Sequence, residues 1–190
     1  AQAVEGMTMA TTIKQTEAIP AEYPEVVARW MMEEDPLNPV LTFQNFAPDP
    51  AQLWQRIEAF IAHRWTAREV VWIVEGAGEW CAPLTPATIT ASEVWENGGW
   101  TSTTLNAGPL GYDLPGDGPY RITATVGAGT PPAAVAEAYR RLHEYTRGIT
   151  DSFKTEFVDG PTDDGIAPSW AAKSLQLSGA ADLLRPYRRA

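Results

Sequence analysis

Cysteine is almost missing from this chain, and each scarcity removes a class of function. Cys81 stands alone in 190 residues, which rules out an intrachain disulfide and any multi-cysteine zinc site; a buried thiol is expected. The only histidines are His63 and His143, with no H-x-x-x-H or H-E-x-x-H spacing, and each is expected at the end or flank of a helix. Glu144 beside His143 is an i,i+1 neighbour and points elsewhere on the helix. No G-x-S-x-G, P-loop or cysteine-histidine arrangement is present, so neither catalysis, a metal nor a cofactor is expected. Cations are outnumbered, 14 against 24 acidic residues, and the net charge of -10 argues against a general grip on nucleic acid or an anionic membrane. No apolar run reaches the length of a membrane span and no charged-then-apolar leader opens the chain, which predicts a soluble protein, intracellular when made. Internal repeats are absent too.

Aromatics, prolines and glycines are what the chain has. Of eight tryptophans, Trp30, Trp54, Trp65 and Trp72 sit on candidate core stripes, whereas Trp80, Trp95 and Trp100 cluster near turns. The stretch "VGAGTPPAAV" from Val126 looks at first like a phosphate cradle. Its third glycine position is Pro132, however, and Pro131 and Pro132 remove the N–H donors an anion would need. A corner remains, with Thr130 as N-cap, a helix over about 131–147 and Gly148 just past its end. Val135, Ala138, Tyr139, Leu142, Tyr145 and Ile149 form the apolar stripe of that helix, and Glu137, Arg140, Arg141, Glu144 and Arg147 its charged face.

Along the chain, residues 1–20 show neither helical nor strand periodicity and read as a flexible arm. A helix is expected from about Pro24, and a proline-rich connection follows. A second helix starts at Asp49-Pro50 with Leu53, Trp54, Ile57, Phe60 and Ile61 inward. "REVVWIVEG" reads as a strand, and "ATITASEVWE", "WTSTTL" and "YRITATV", separated by glycine and proline turns, as an antiparallel meander. An acidic loop precedes a helical tail, "SWAAKSLQLSGAADLLRPYRR". The fold class expected is α+β: a small helical bundle packed with an inserted antiparallel β-meander, a flexible N-terminal arm and a helical C-terminal tail. The domains expected are an arm at 1–20, a core at 21–150, and a loop with tail at 151–190. Charge is uneven: from Pro168 onward Lys173, Arg185, Arg188 and Arg189 stand against Asp182 alone. A basic tail on an acidic body suggests an acidic partner.

Three stretches, in this order, resemble the head-tail connector, or adaptor, proteins of tailed bacteriophages and phage-like gene transfer particles. "LWQRIEAFIAHRWTAREVVWIVEG" is similar to the family's helix, aromatic corner and first strand. "YRITATVGAGTPPAAVAEAYRRLHEYTRG" resembles its strand, glycine corner and P-x-x-V helix start. "LSGAADLLRPYRRA" resembles its closing segment. The stretch before residue 50 departs from the family, which often opens with a lysine-histidine-leucine type helix. The resemblance implies a structural virion protein of the neck between capsid and tail, assembled in the host cytoplasm. Its copies would form a dodecameric ring that docks on the portal protein and meets a tail-side stopper or head-completion protein. Double-stranded DNA would pass through the lumen without specific binding. The tail would dock through Trp170, Leu175, Leu177, Leu183, Leu184 and Tyr187 as apolar anchors and Arg185, Arg188 and Arg189 as charged ones. Leucines at helical spacing serve equally a tail folded back on its own core. The charged face Glu137, Arg140, Arg141, Glu144 and Arg147 would pair copies in the ring. The competing class is a monomeric β-rich carbohydrate- or ligand-binding module, which needs the turn tryptophans exposed on one face.

Overall fold

A computed structural model describes residues 10–27, 48–158 and 173–188. The chain is α+β, its described strands all pair antiparallel, and it divides into two compact units. The first joins residues 1–21 to 63–129; the second joins 22–62 to 130–190.

The first unit is built on a five-stranded sheet. Its strands are β1 (Thr11–Glu17), β2 (Arg68–Glu75), β4 (Ala87–Glu96), β5 (Gly99–Ser102) and β8 (Tyr120–Val126), in the order β1-β2-β8-β4-β5. A smaller sheet holds β3 (Gly78–Trp80), β6 (Asn106–Ala107) and β7 (Tyr112–Leu114) in the order β3-β7-β6. A plain meander would pair sequence neighbours; here β8 returns between β2 and β4. The reason lies in apolar content. β2 and β8 alternate strictly, and their register sets Val70 opposite Ala124, Trp72 opposite Ile122 and Val74 opposite Tyr120, all buried. The strand with the best matching face takes the central place.

Asn97 and Gly98, both at positive φ, make the tight turn between β4 and β5. Gly127 makes the corner after β8. Its φ is +92°, and a Cβ there would lie 2.3 Å from the Thr66 carbonyl oxygen, so the backbone tolerates no side chain. The stretch that resembles a cradle is a corner.

The segment expected to be a flexible arm contains β1, a correction with a clear cause. Its one apolar residue, Ile13, sits at a bulge in the β1–β2 register and is 61% exposed, so no apolar alternation marks the strand. What fixes β1 is polar. Gln15 Oε1 accepts from Trp72 Nε1 at 2.8 Å, Thr12 Oγ1 accepts from Trp80 Nε1 at 2.9 Å, and Glu17 meets Arg64 and Arg68 at 2.6 and 3.1 Å.

The second unit is helical. α1 (Pro50–Ile61) begins where the Asp49 side chain accepts from the Ala51 N–H at 2.9 Å, and ends at Ala62 in the left-handed region. Leu53, Trp54, Ile57 and Ile61 are buried as their spacing predicts, while Phe60 is half-buried. α2 (Ala133–Val158) starts with the Pro132 carbonyl accepting from Ala136, so Thr130 is not its cap. It runs ten residues past Gly148, where an acidic loop was expected. One glycine costs a helix only about 1 kcal/mol, and Ile149, Phe153 and Phe157 recur at i,i+4 beyond it. Two short helices, α3 (Ser174–Leu177) and α4 (Ala180–Leu184), and a 3-10 turn (Arg185–Tyr187) close the unit. Gly179, at φ +72°, turns the chain between them. Pro24–Val27 are not helical, and the rest of the helix expected from Pro24 falls outside the described residues, Trp30 with it.

Candidate docking and pairing surfaces

The C-terminal tail packs within its own unit. Ala180 and Leu184 are fully buried, α4 lies against α2 and α1, and Arg56 Nη1 donates to the buried Ser174 hydroxyl. Leu184, expected as a docking anchor, is therefore a core residue here: it falls on the inward side of α4, four residues after the buried Ala180. Leu175, Leu183 and Tyr187 are half-buried, and Leu177 is 54% exposed. Arg185 and Arg188 are exposed. Arg185 pairs with Asp182 at 2.9 Å, and the Arg188 guanidinium sits 4.8 Å over the ring of half-buried Phe60. Trp170 and Arg189 lie outside the described residues. Among the described members of the expected docking set, Leu177, Arg185 and Arg188 are the exposed ones.

On α2 the buried stripe is Val135, Ala138, Tyr139, Leu142 and His143. His143 corrects the expectation of a flank position: it is four residues from Tyr139 and stacks on that ring at 6.3 Å. Burial pushes its imidazole below the ordinary range, helped by the Arg147 charge. The opposite face carries the predicted charges. Glu137 already engages its own helix, with Arg140 at 3.5 Å and Arg141 at 3.3 Å, and Arg140 also donates to the Val27 carbonyl at 3.0 Å. Glu144 is exposed and Arg147 half-buried. Of the residues expected to pair copies, Arg141 and Glu144 are the exposed ones.

In the sheet unit, Trp80 is buried edge-on against Trp72 at 5.4 Å, so the three turn tryptophans do not share a face. Trp95 and Trp100 pair across the β4–β5 hairpin at 5.2 Å and 70°. Arg121, held by Glu93 at 2.5 Å, lies 4.7 Å over the Trp100 ring. His63 stands just past α1, against Trp65 at 4.7 Å, and burial followed by the Arg64 charge lowers its pKa. Cys81 is exposed rather than buried, its thiol aimed at the Leu110 carbonyl oxygen at 3.0 Å. Among the described residues no group of three or more His, Cys, Asp or Glu could hold a metal ion, and no helix is long and apolar enough to cross a membrane.

Two solved structures contain chains similar to this one. A chain described as "Virion of native gene transfer agent (GTA) particle" shares 16% identity, covering 96% of this chain and 96% of its own, with a TM-score of 0.47. A chain of "Neck of native GTA particle computed with C12 symmetry" shares 14% identity, covering 80% of this chain and 88% of its own, with a TM-score of 0.45. Its structural neighbours are thus chains of a gene transfer agent virion and neck. No family model and no curated protein matches the chain.

Sequence reasoning missed Thr12, Gln15, Glu17, Arg64 and Arg68, which together fasten β1. A signal existed in the alternation of Gln15 and Glu17, but a period of two written in polar residues looks like any polar segment.

Proposed function

We propose that this protein is a head-tail adaptor: a structural virion component whose copies form a ring on the portal and extend the DNA channel toward the tail. The observation that carries the reading is the order of the three family-like stretches, each of which falls on a defined joint of the fold. The first spans α1, its left-handed end at Ala62 and β2; the second spans β8, the Gly127 corner and α2; the third is the α3–Gly179–α4 turn with its Arg-Pro-Tyr ending. A protein whose distinctive stretches are joints rather than a cluster of reactive groups is suited to building and docking. The net charge of -10 supports a conduit that lets a duplex slide, since phosphate contacts would hold it. The ring is dodecameric on this reading, with portal and stopper as its neighbours in the neck.

On this reading docking falls to the exposed residues of the tail, Leu177, Arg185 and Arg188. Leu177→Asp combined with Arg185→Glu removes one apolar and one cationic contact at exposed positions, where the fold should lose no more than about 0.5 kcal/mol for each. Binding of the purified variant to portal-bearing capsids should fall at least about tenfold, while its melting temperature holds. Undiminished portal binding by that variant would move docking off the tail. The carbohydrate-binding alternative loses its flat platform, because Trp80 is buried and Arg121 covers one face of Trp100.

A further inference from the structure

The chain enters the first unit twice. Residues 1–21 contribute β1, the chain then leaves to build the helical unit, and it returns at His63 to supply every other strand of the sheet. β1 is therefore an edge strand, and its covalent continuation belongs to the other unit. Its seat, along the free side of β2, is made entirely by the later continuous segment. That seat selects its strand chemically. The Trp72 and Trp80 indole N–H groups, on buried rings, donate to Gln15 and Thr12, and the buried Arg64 and Arg68 guanidiniums share the Glu17 carboxylate. The bulge at Ile13 puts Thr12, three residues before Gln15, on the same side as Gln15 and Glu17. A strand fills the seat only if it presents Thr, Gln and Glu in that register.

We propose that the edge of β2 is a strand-acceptor site and that its occupant in the assembled protein is β1 of a second copy of this chain. Exchange preserves every hydrogen bond just described, because donor strand and acceptor are the same in both arrangements, so the enthalpy of the seat does not oppose it. The cost is loss of an intramolecular tether, and reciprocal exchange between two copies offsets it, because once one strand is traded the second is held at high effective concentration. The strand's outer surface is mostly exposed, so few apolar contacts hold it to its own copy. The inference goes beyond the adaptor reading and does not depend on it, since two copies can trade strands without a portal.

The test uses full-length chains in a Cys81→Ser background. Thr16 and Val71 face each other in the β1–β2 register, at a spacing a disulfide can bridge. One chain carries Thr16→Cys and the other Val71→Cys, so neither can close a disulfide within itself. The two are co-refolded at high concentration in a glutathione buffer, and the Thr16→Cys to Val71→Cys cross-link is quantified by mass spectrometry. Exchange predicts that this cross-link exceeds either like-with-like cross-link by at least about tenfold, and that adding Gln15→Ala and Glu17→Ala to the donor chain abolishes the excess. A chain carrying both cysteines reports whether β1 keeps its register. If that chain closes its disulfide inside one copy while the mixture gives no excess, the exchange is overturned. Rings seen by electron microscopy alongside that result would leave the adaptor reading standing, whereas exchange without rings would count against that reading alone.

Discussion

Glu17 lies between two buried guanidiniums, and its protonation state decides whether the end of β1 stays fastened. Burial alone would raise its carboxyl pKa, but the hydrogen bond and charge of Arg64, and then those of Arg68, outweigh it and hold it below the usual range. A carboxylate depressed in the folded state contributes stability that is present above its ordinary pKa of 4.5 and lost as pH falls through the lower folded value. His63 and His143 act higher on the scale. Their folded pKa values lie below 6.5, so the neutral forms favour folding above that value, and stability drains as pH drops beneath it. Denaturant titrations between pH 8 and pH 2 should therefore show stability falling in two stages, the first below pH 6.5 and the second below pH 4.5. His143→Gln should flatten the first, and Glu17→Gln should remove the second at a cost of about 3 kcal/mol near neutral pH. Cys81 gives a simpler check: being exposed, it should be alkylated by iodoacetamide in the folded protein as fast as in denaturant.

At the scale of elements, apolar pattern and turn chemistry explain what could be read from the sequence. α1, β2 and β8 follow from stripes and alternation, because each buries one side and the buried residues carry the signal, whereas β4, which has no fully buried residue, follows from its β-branched content and the Asn97-Gly98 turn after it. β1 was illegible for the opposite reason, being a strand fixed by polar locks. The far half of α2 was illegible because a glycine that ends many helices merely weakens this one. Of the candidate docking and pairing residues, the charged face of α2 could be read from its spacing, but its internal ion pairs could not be told from contacts with a neighbour. The tail shows the same ambiguity, and Leu184 settles it for one residue: Leu184→Ala should cost about 2–5 kcal/mol, measured by chemical denaturation, as a core leucine does. The corner can be tested too. Gly127→Ala needs φ of +92° and pushes its methyl into the Thr66 carbonyl, so it should lose more than about 1 kcal/mol, whereas Gly148→Ala in the helix should gain a few tenths to about 1 kcal/mol.

Over the whole molecule the organising quantity is charge. A chain of net charge -10 carries Lys173, Arg185, Arg188 and Arg189 against Asp182 alone from Pro168 onward, and on the adaptor reading proposed above the acidic body would repel phosphate while the basic tail attaches. Phosphate binding grows with the number of neutralised phosphates and falls steeply with salt, so a weak but real DNA site betrays itself at low ionic strength. If the proposed adaptor reading holds, a chain that lines a channel should show none. Fluorescence anisotropy with a labelled 30-base-pair duplex should stay flat up to about 50 μM protein even at 20 mM salt, where any phosphate contact is strongest. Neutralising the basic tail, by Lys173→Gln with Arg185→Gln and Arg188→Gln, should leave that DNA result unchanged while weakening portal binding and its salt dependence together. Micromolar DNA affinity that rises as salt is lowered and disappears in this triple variant would mean that the tail holds nucleic acid, and the sliding-channel reading would fail.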